Sequence, residues 1–320
     1  MTPFLFGREA WWVGGIVLGM LVAASVVGYV LAKRTTSPGG IKTVANLNAR
    51  TRAWWVMAII FATALALGRV GVTVLFGLMS FFALREMLTL APSRRGDHRT
   101  LFWAFFVVVP VQYVLIYLGR YGLFSIFIPV YCFLFFALRS AMAGDVTRYL
   151  ERAAKIHWGV MICVYCISHC AALLLLKLPN FDGRQWQLIV FLVFIAQVSD
   201  VLQYVWGKLL GRRPIAAQLS PNKTVGGYVL GTLSATAIGG LLHGMTPFGP
   251  WWALGLALVI TQMGFVGGLV MSAVKRDAGV KDYGHLIEGH GGVMDRVDSL
   301  AFAAPVFFHL VRFFFETPAG

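Results

Sequence analysis

Ser272-Ala-Val-Lys275-Arg276-Asp277-Ala-Gly-Val-Lys281-Asp282-Tyr283-Gly284-His-Leu-Ile-Glu288-Gly-His290-Gly291-Gly292-Val-Met-Asp295-Arg296-Val-Asp298 separates two long apolar runs, 250–272 and 299–315. Nine of its 27 residues are charged. Continuous apolar runs of this length signal membrane helices, whereas a membrane barrel strand would alternate. The pattern is therefore helix, polar loop, helix. Charge trapped between such helices is costly unless it has partners or a ligand. Cations suit phosphate oxygens, carboxylates suit a hard divalent metal, and glycines admit a close backbone approach. Together they make the segment a candidate phosphate-plus-metal site.

The rest of the chain repeats the apolar signal. Hydrophobic residues are 58% of the 320 and charged residues 12%, far from a soluble domain's usage. Ten spans are expected, at 11–32, 53–68, 71–84, 101–119, 123–138, 157–176, 186–206, 225–243, 250–272 and 299–315. The fold class is an all-α polytopic integral membrane helix bundle of about ten transmembrane helices. It divides into an N-terminal bundle (1–184) and a C-terminal region (185–320) that holds the polar signature. A tight turn at Gly68–Gly71 would make 53–84 a helical hairpin. The first span reads as a retained anchor, since no small-residue cleavage site follows it.

Charge placement orients the bundle. With the N-terminus outside, the segments 33–52, 85–100, 139–156, 207–224 and 273–298 are cytoplasmic and carry 21 of the 27 Lys and Arg. The net charge of +14 then faces anionic headgroups and membrane lipids. No basic patch is interleaved with aromatics, so nucleic acid is not an expected partner. All four cysteines fall inside spans. Cys163, Cys166 and Cys170 lie near one helix face close to His169, and small soft residues at a helix contact are preferred there over a metal centre.

A second polar cluster begins within span 186–206, in Ser199-Asp200-Val-Leu-Gln203-Tyr204-Val-Trp-Gly207. Three- and four-residue spacing puts Asp200, Gln203, Tyr204 and Gly207 on one face. A carboxylate in a membrane helix marks a site by default, against the plainer reading of an acid paired with a neighbouring helix. Ser220-Pro221-Asn222-Lys223-Thr224-Val-Gly226-Gly227 follows, a turn opening the next helix. Backbone N–H groups there favour phosphate and Lys223 adds charge. The spacing is not that of a P-loop.

These landmarks, in this order, resemble the phosphatidate cytidylyltransferases, also called CDP-diacylglycerol synthases. The resemblance runs from Asp200, Tyr204 and Gly207 through Ser220, Lys223 and Thr224 to the 272–298 signature. It covers about residues 195–312. It implies Mg²⁺-dependent condensation of CTP with phosphatidic acid to CDP-diacylglycerol and pyrophosphate, in a bacterial inner membrane with the site facing the cytoplasm. Carried over residue by residue, it makes Asp295 and Asp200 metal ligands. Lys223, Lys275, Arg276, Lys281 and Arg296 would neutralise phosphates, with Asp282 and Asp298 orienting them. Tyr204, Ser220, Asn222, Thr224 and His290-Gly291-Gly292 would contact substrate. A homodimer is compatible with the sequence and not fixed by it.

The chain departs from the family pattern at four positions. Gly268 and Gly226 stand where acids are expected, Tyr283 where a small residue is, and Glu288 where a proline is. Fewer carboxylates imply weaker divalent binding, with Glu288 or Asp277 as possible substitutes. Three alternatives therefore stand beside transfer to phosphatidic acid. One is a catalytically weakened or silent homologue that binds lipid or nucleotide. Another is a CTP-dependent enzyme for a different membrane lipid. A transporter is the third, which would explain buried polar residues but not two phosphate-like clusters.

Overall fold

The computed structural model of the chain describes residues 8–90, 94–287 and 291–317. Ten long helices make up most of them: α1 (Arg8–Arg34), α2 (Pro38–Ala66), α3 (Gly68–Thr89), α4 (Arg95–Tyr117), α5 (Tyr121–Ala141), α6 (Tyr149–Leu175), α7 (Trp186–Leu210), α8 (Val225–Met245), α9 (Pro250–Asp277) and α10 (Met294–Phe315). Each of the ten apolar runs falls on one helix. Among the described residues, nine helices are long and apolar enough to cross a membrane. The exception is α2, which has 29 residues. Lys42, Arg50 and Arg52 lie in its N-terminal half, so only the part from residue 53 onward is apolar.

Helix is what this composition requires, because in lipid the backbone N–H and C=O groups must pair within their own segment. The expected hairpin is present. Only Leu67 separates α2 from α3, Gly68 takes φ 64°, and Gly71 brings α3 against the Ala64 carbonyl. Widened π-helical turns interrupt α4, α5 and α6 at Ala104–Val108, Phe127–Cys132 and Met161–Cys166. Pro110 and Pro129 lie beside or within the first two, where a missing N–H breaks the regular ladder.

The core gathers around α7 and α10. Leu188, Ile189, Phe191, Leu192 and Ile195 of α7 are fully buried, as are Ala301, Ala303, Ala304 and Phe307 of α10. Phe191 stacks on Phe307 with ring centroids 6.1 Å apart. Small residues let backbones meet: Gly227 and Gly231 of α8 lie against Gln203 of α7, and Gly264 and Gly267 of α9 against Ser299 and Asp298 of α10. From the other side α3 and α6 pack on α10, and one hydrophobic core runs through both halves of the chain. The cysteines serve packing. Cys163 Sγ lies 3.5 Å from Met87 Sδ and 3.7 Å from Met294 Sδ. No group of three or more His, Cys, Asp or Glu suited to a metal occurs among the described residues.

Between α7 and α8 is a short antiparallel hairpin, β1 (Pro214–Ala216) with β2 (Ser220–Thr224). The sequence places the turn at Ser220-Pro221, but the turn is at 217–219 and Ser220 opens the strand. A two-stranded ribbon has free edges, where the missing N–H of Pro221 costs no ladder bond.

Candidate functional site

Asp295, in the first turn of α10, organises the signature. Its Oδ1 accepts from Lys275 Nζ at 2.8 Å. Its Oδ2 accepts from the backbone N–H of Tyr283 at 2.8 Å and of Gly292 at 3.0 Å. An acid in a helix's first turn is favoured by the dipole, and here it also draws the preceding loop onto the helix. Gly291 has φ 79°, and a Cβ there would come within 2.7 Å of Oδ2. Tyr283 is buried and donates its hydroxyl to the Met271 carbonyl at 3.1 Å. The departure at 283 is thus a brace between loop and α9, and burial pushes its phenol up from the usual value.

Three residues further along α10, Asp298 faces α7. There Asp200 lies among Asp298, Lys223, Ser299 and Arg296. Lys223 enters the same space from β2, with its Nζ 5.0 Å from the centroid of the Phe265 ring. Burial holds the Lys223 amine below its ordinary value, and Asp200 and Asp298 oppose that by favouring the ammonium. Two carboxylates on facing helices repel unless a cation lies between them, and Lys223 supplies one. Both oxygens of Asp295 are engaged by Lys275 and by backbone N–H groups, and the acid that faces Asp200 is Asp298. Mg²⁺ is commonly held by one or two carboxylates plus substrate phosphates, and the Asp200–Asp298 pair fits that donor set.

Gly268 lies beside this cluster. A Cβ there would run into the Lys223 ammonium. At Gly226 a Cβ would lie 3.1 Å from the Leu210 carbonyl, so an acid there would press on the C-terminal carbonyls of α7. Arg276 donates to the Leu219 and Val280 carbonyls at 3.3 and 2.9 Å. It braces the hairpin turn and the end of α9.

The remaining expected residues spread around the cluster. Lys281 and Asp282 are exposed on the loop before α10, as is Asp277 at the end of α9. Tyr204 is 56% exposed and lies under Lys208, whose Nζ is 5.4 Å from the ring centroid. It faces outward, not into the site. Ser220 and Asn222 lie on β2. Thr224 caps α8 by accepting the Gly227 N–H at 3.2 Å. His290 and Glu288 fall outside the described residues.

Glu86 was not singled out in the sequence, yet its carboxylate meets the backbone at the start of α10. The available signal was a lone acid two residues past the apolar run 71–84, at the expected cytoplasmic surface.

The sequence matches the cytidylyltransferase family over residues 48–314. It is 37% identical over 301 residues to "Uncharacterized protein YnbB" of Escherichia coli (strain K12), covering 93% of this chain and 96% of that one. A phosphatidate cytidylyltransferase of Helicobacter pylori (strain J99) is 40% identical over 129 residues, 40% of this chain and 48% of that protein. The phosphatidate cytidylyltransferase of Staphylococcus aureus (strain COL) is 26% identical over 269 residues, 81% of this chain and 97% of its own.

Proposed function

The chain belongs to the cytidylyltransferase family, and on that premise we propose that it transfers the cytidylyl group of CTP to phosphatidic acid. A phosphate oxygen of the lipid attacks the α-phosphorus of CTP. The bond from that phosphorus to the bridging oxygen breaks, and pyrophosphate leaves with it. Such a reaction asks little covalent work of the protein, so positioning and charge neutralisation dominate. The observation that carries the reading is the meeting of Asp200, Asp298 and Lys223 from three separate elements beside the Asp295-held loop.

In this reading Lys223 neutralises phosphate charge, and Lys275 holds Asp295 so that the loop keeps its shape. Asp200 and Asp298 would hold Mg²⁺. When bound, the ion would offset charge on the phosphates as pyrophosphate departs. In this reading the site faces the cytoplasm, the side on which the orientation of the bundle puts 21 of the 27 Lys and Arg. A second reading, a homologue that binds nucleotide and lipid with little turnover, draws on Gly268, where the Lys223 ammonium stands in place of a carboxylate.

Purified protein with labelled CTP and phosphatidic acid, with and without Mg²⁺, decides between them. Mg²⁺-dependent CDP-diacylglycerol is the expected product. CTP binding without product would favour the second reading, and neither binding nor product would sink both.

A further inference from the structure

The helix α10 begins without a cap of its own. Val293, the residue before it, offers no side-chain acceptor to the free N–H groups of the first turn, and such groups need partners. The acceptor comes from α3. Glu86 takes the Val293 N–H on Oε1 at 2.9 Å and the Met294 N–H on Oε2 at 2.8 Å. A negative group at a helix start is favoured by the dipole, and bonds to an ionised acceptor are the stronger kind. Two glycines make room for it. A Cβ on Gly284 would lie 3.0 Å from Oε1, and one on Gly292 would overlap Oε2. Met87, next in sequence to Glu86, and Met294 both contact Cys163 Sγ, closing the same joint with apolar atoms.

Asp295 holds this turn from within, through the Gly292 N–H at 3.0 Å. Two carboxylates therefore grip the entry to α10, one from its own helix and one from the N-terminal bundle. We propose that Glu86 is a positioning residue: by fixing the first turn of α10 it sets how Asp298 meets Asp200 and Lys223. This rests on the transfer reaction proposed above. Its hydrogen bonds go to backbone, so it acts on the reaction through the turn.

The test compares Glu86→Gln, Glu86→Asp and the unmodified protein. Gln keeps the size but turns one acceptor into an amino group facing a backbone N–H, donor against donor. Amide hydrogen exchange at Val293 and Met294 should accelerate roughly tenfold in Glu86→Gln, the equivalent of about 1.4 kcal/mol, while α7 amides keep their protection. Per folded molecule, kcat should fall roughly tenfold with KM for CTP nearly unchanged, and Glu86→Asp should recover part of the loss. Unchanged exchange at 293–294, acceleration throughout the chain, or local acceleration with full kcat would each overturn the proposal. If the unmodified protein forms no CDP-diacylglycerol, the transfer reading fails instead. The clamp is then judged on exchange alone, local acceleration supporting it and no change overturning it.

Discussion

Lys223 occupies the place that a side chain at position 268 would enter, and this sets the charge at the centre of the site. Its ammonium is the tip of a flexible chain, so a carboxylate at 268 would displace it by rotation without moving backbone. Gly268→Asp is expected to pair with Lys223 and to add a third acid beside Asp200 and Asp298. The Mg²⁺ concentration for half-maximal CDP-diacylglycerol formation should fall severalfold. The helix itself should gain only about 0.3 kcal/mol, since Asp is nearly as poor a helix interior residue as Gly. A Mg²⁺ titration of both proteins checks it, and an unchanged requirement would show that the present carboxylates already hold the ion. At this scale the sequence was legible where charge interrupts an apolar run, as at Asp200, Lys223, Asp295 and Asp298. It could not say which acid faces Asp200. Asp295 and Asp298 are less than one turn apart, and the choice depends on how α10 is rotated by packing. Glu86 was illegible for a related reason, as its partners are 207 and 208 positions away.

Among the elements, α7 and α8 carry Asp200 and follow Lys223, so their spacing controls the distance between those groups. Glycines four apart recur in both, Gly207 of α7 with Gly211 just past its end, and Gly227 with Gly231 within α8. The small-xxx-small pattern is visible in the sequence, but the pairing of the two patterns is not. A Cβ on Gly227 would lie 2.5 Å from Gln203 O, 2.8 Å from Gly207 Cα and 2.9 Å from Gly207 N. All three are backbone atoms, which cannot turn aside, so Gly227→Ala must part the helices. Overpacking of this kind costs about 1–3 kcal/mol. Gly240→Ala on the same helix meets only Leu254 side-chain atoms, the nearest at 3.4 Å, and serves as the control. Thermal inactivation in detergent should come earlier for Gly227→Ala and stay near the unmodified value for Gly240→Ala. Equal behaviour of the two would remove close α7–α8 contact as a requirement of the site.

For the whole molecule, the helices came readily from the sequence because apolar runs are long and loops are short, but α2 is the exposed point of the topology. Its apolar part, residues 53–66, spans about 21 Å at 1.5 Å per residue, less than the roughly 30 Å of a bilayer core. Its polar half must then extend past the surface. Crossing by α2 is nonetheless required if 21 of the 27 Lys and Arg are to share one side, since each basic residue on the wrong side opposes insertion. Four single-cysteine variants test this, Thr36→Cys, Leu67→Cys, Ile215→Cys and Gly244→Cys, all at exposed loop or near-loop positions. The native cysteines lie inside helices and three are buried, so background labelling is low. In intact cells a membrane-impermeant maleimide should reach positions 67 and 244, and only after permeabilisation should it reach 36 and 215. Labelling of 36 together with 67 would mean that α2 lies along the surface. Labelling of 215 from outside would reverse the orientation and put Lys223 and the Asp295 loop on the side without CTP.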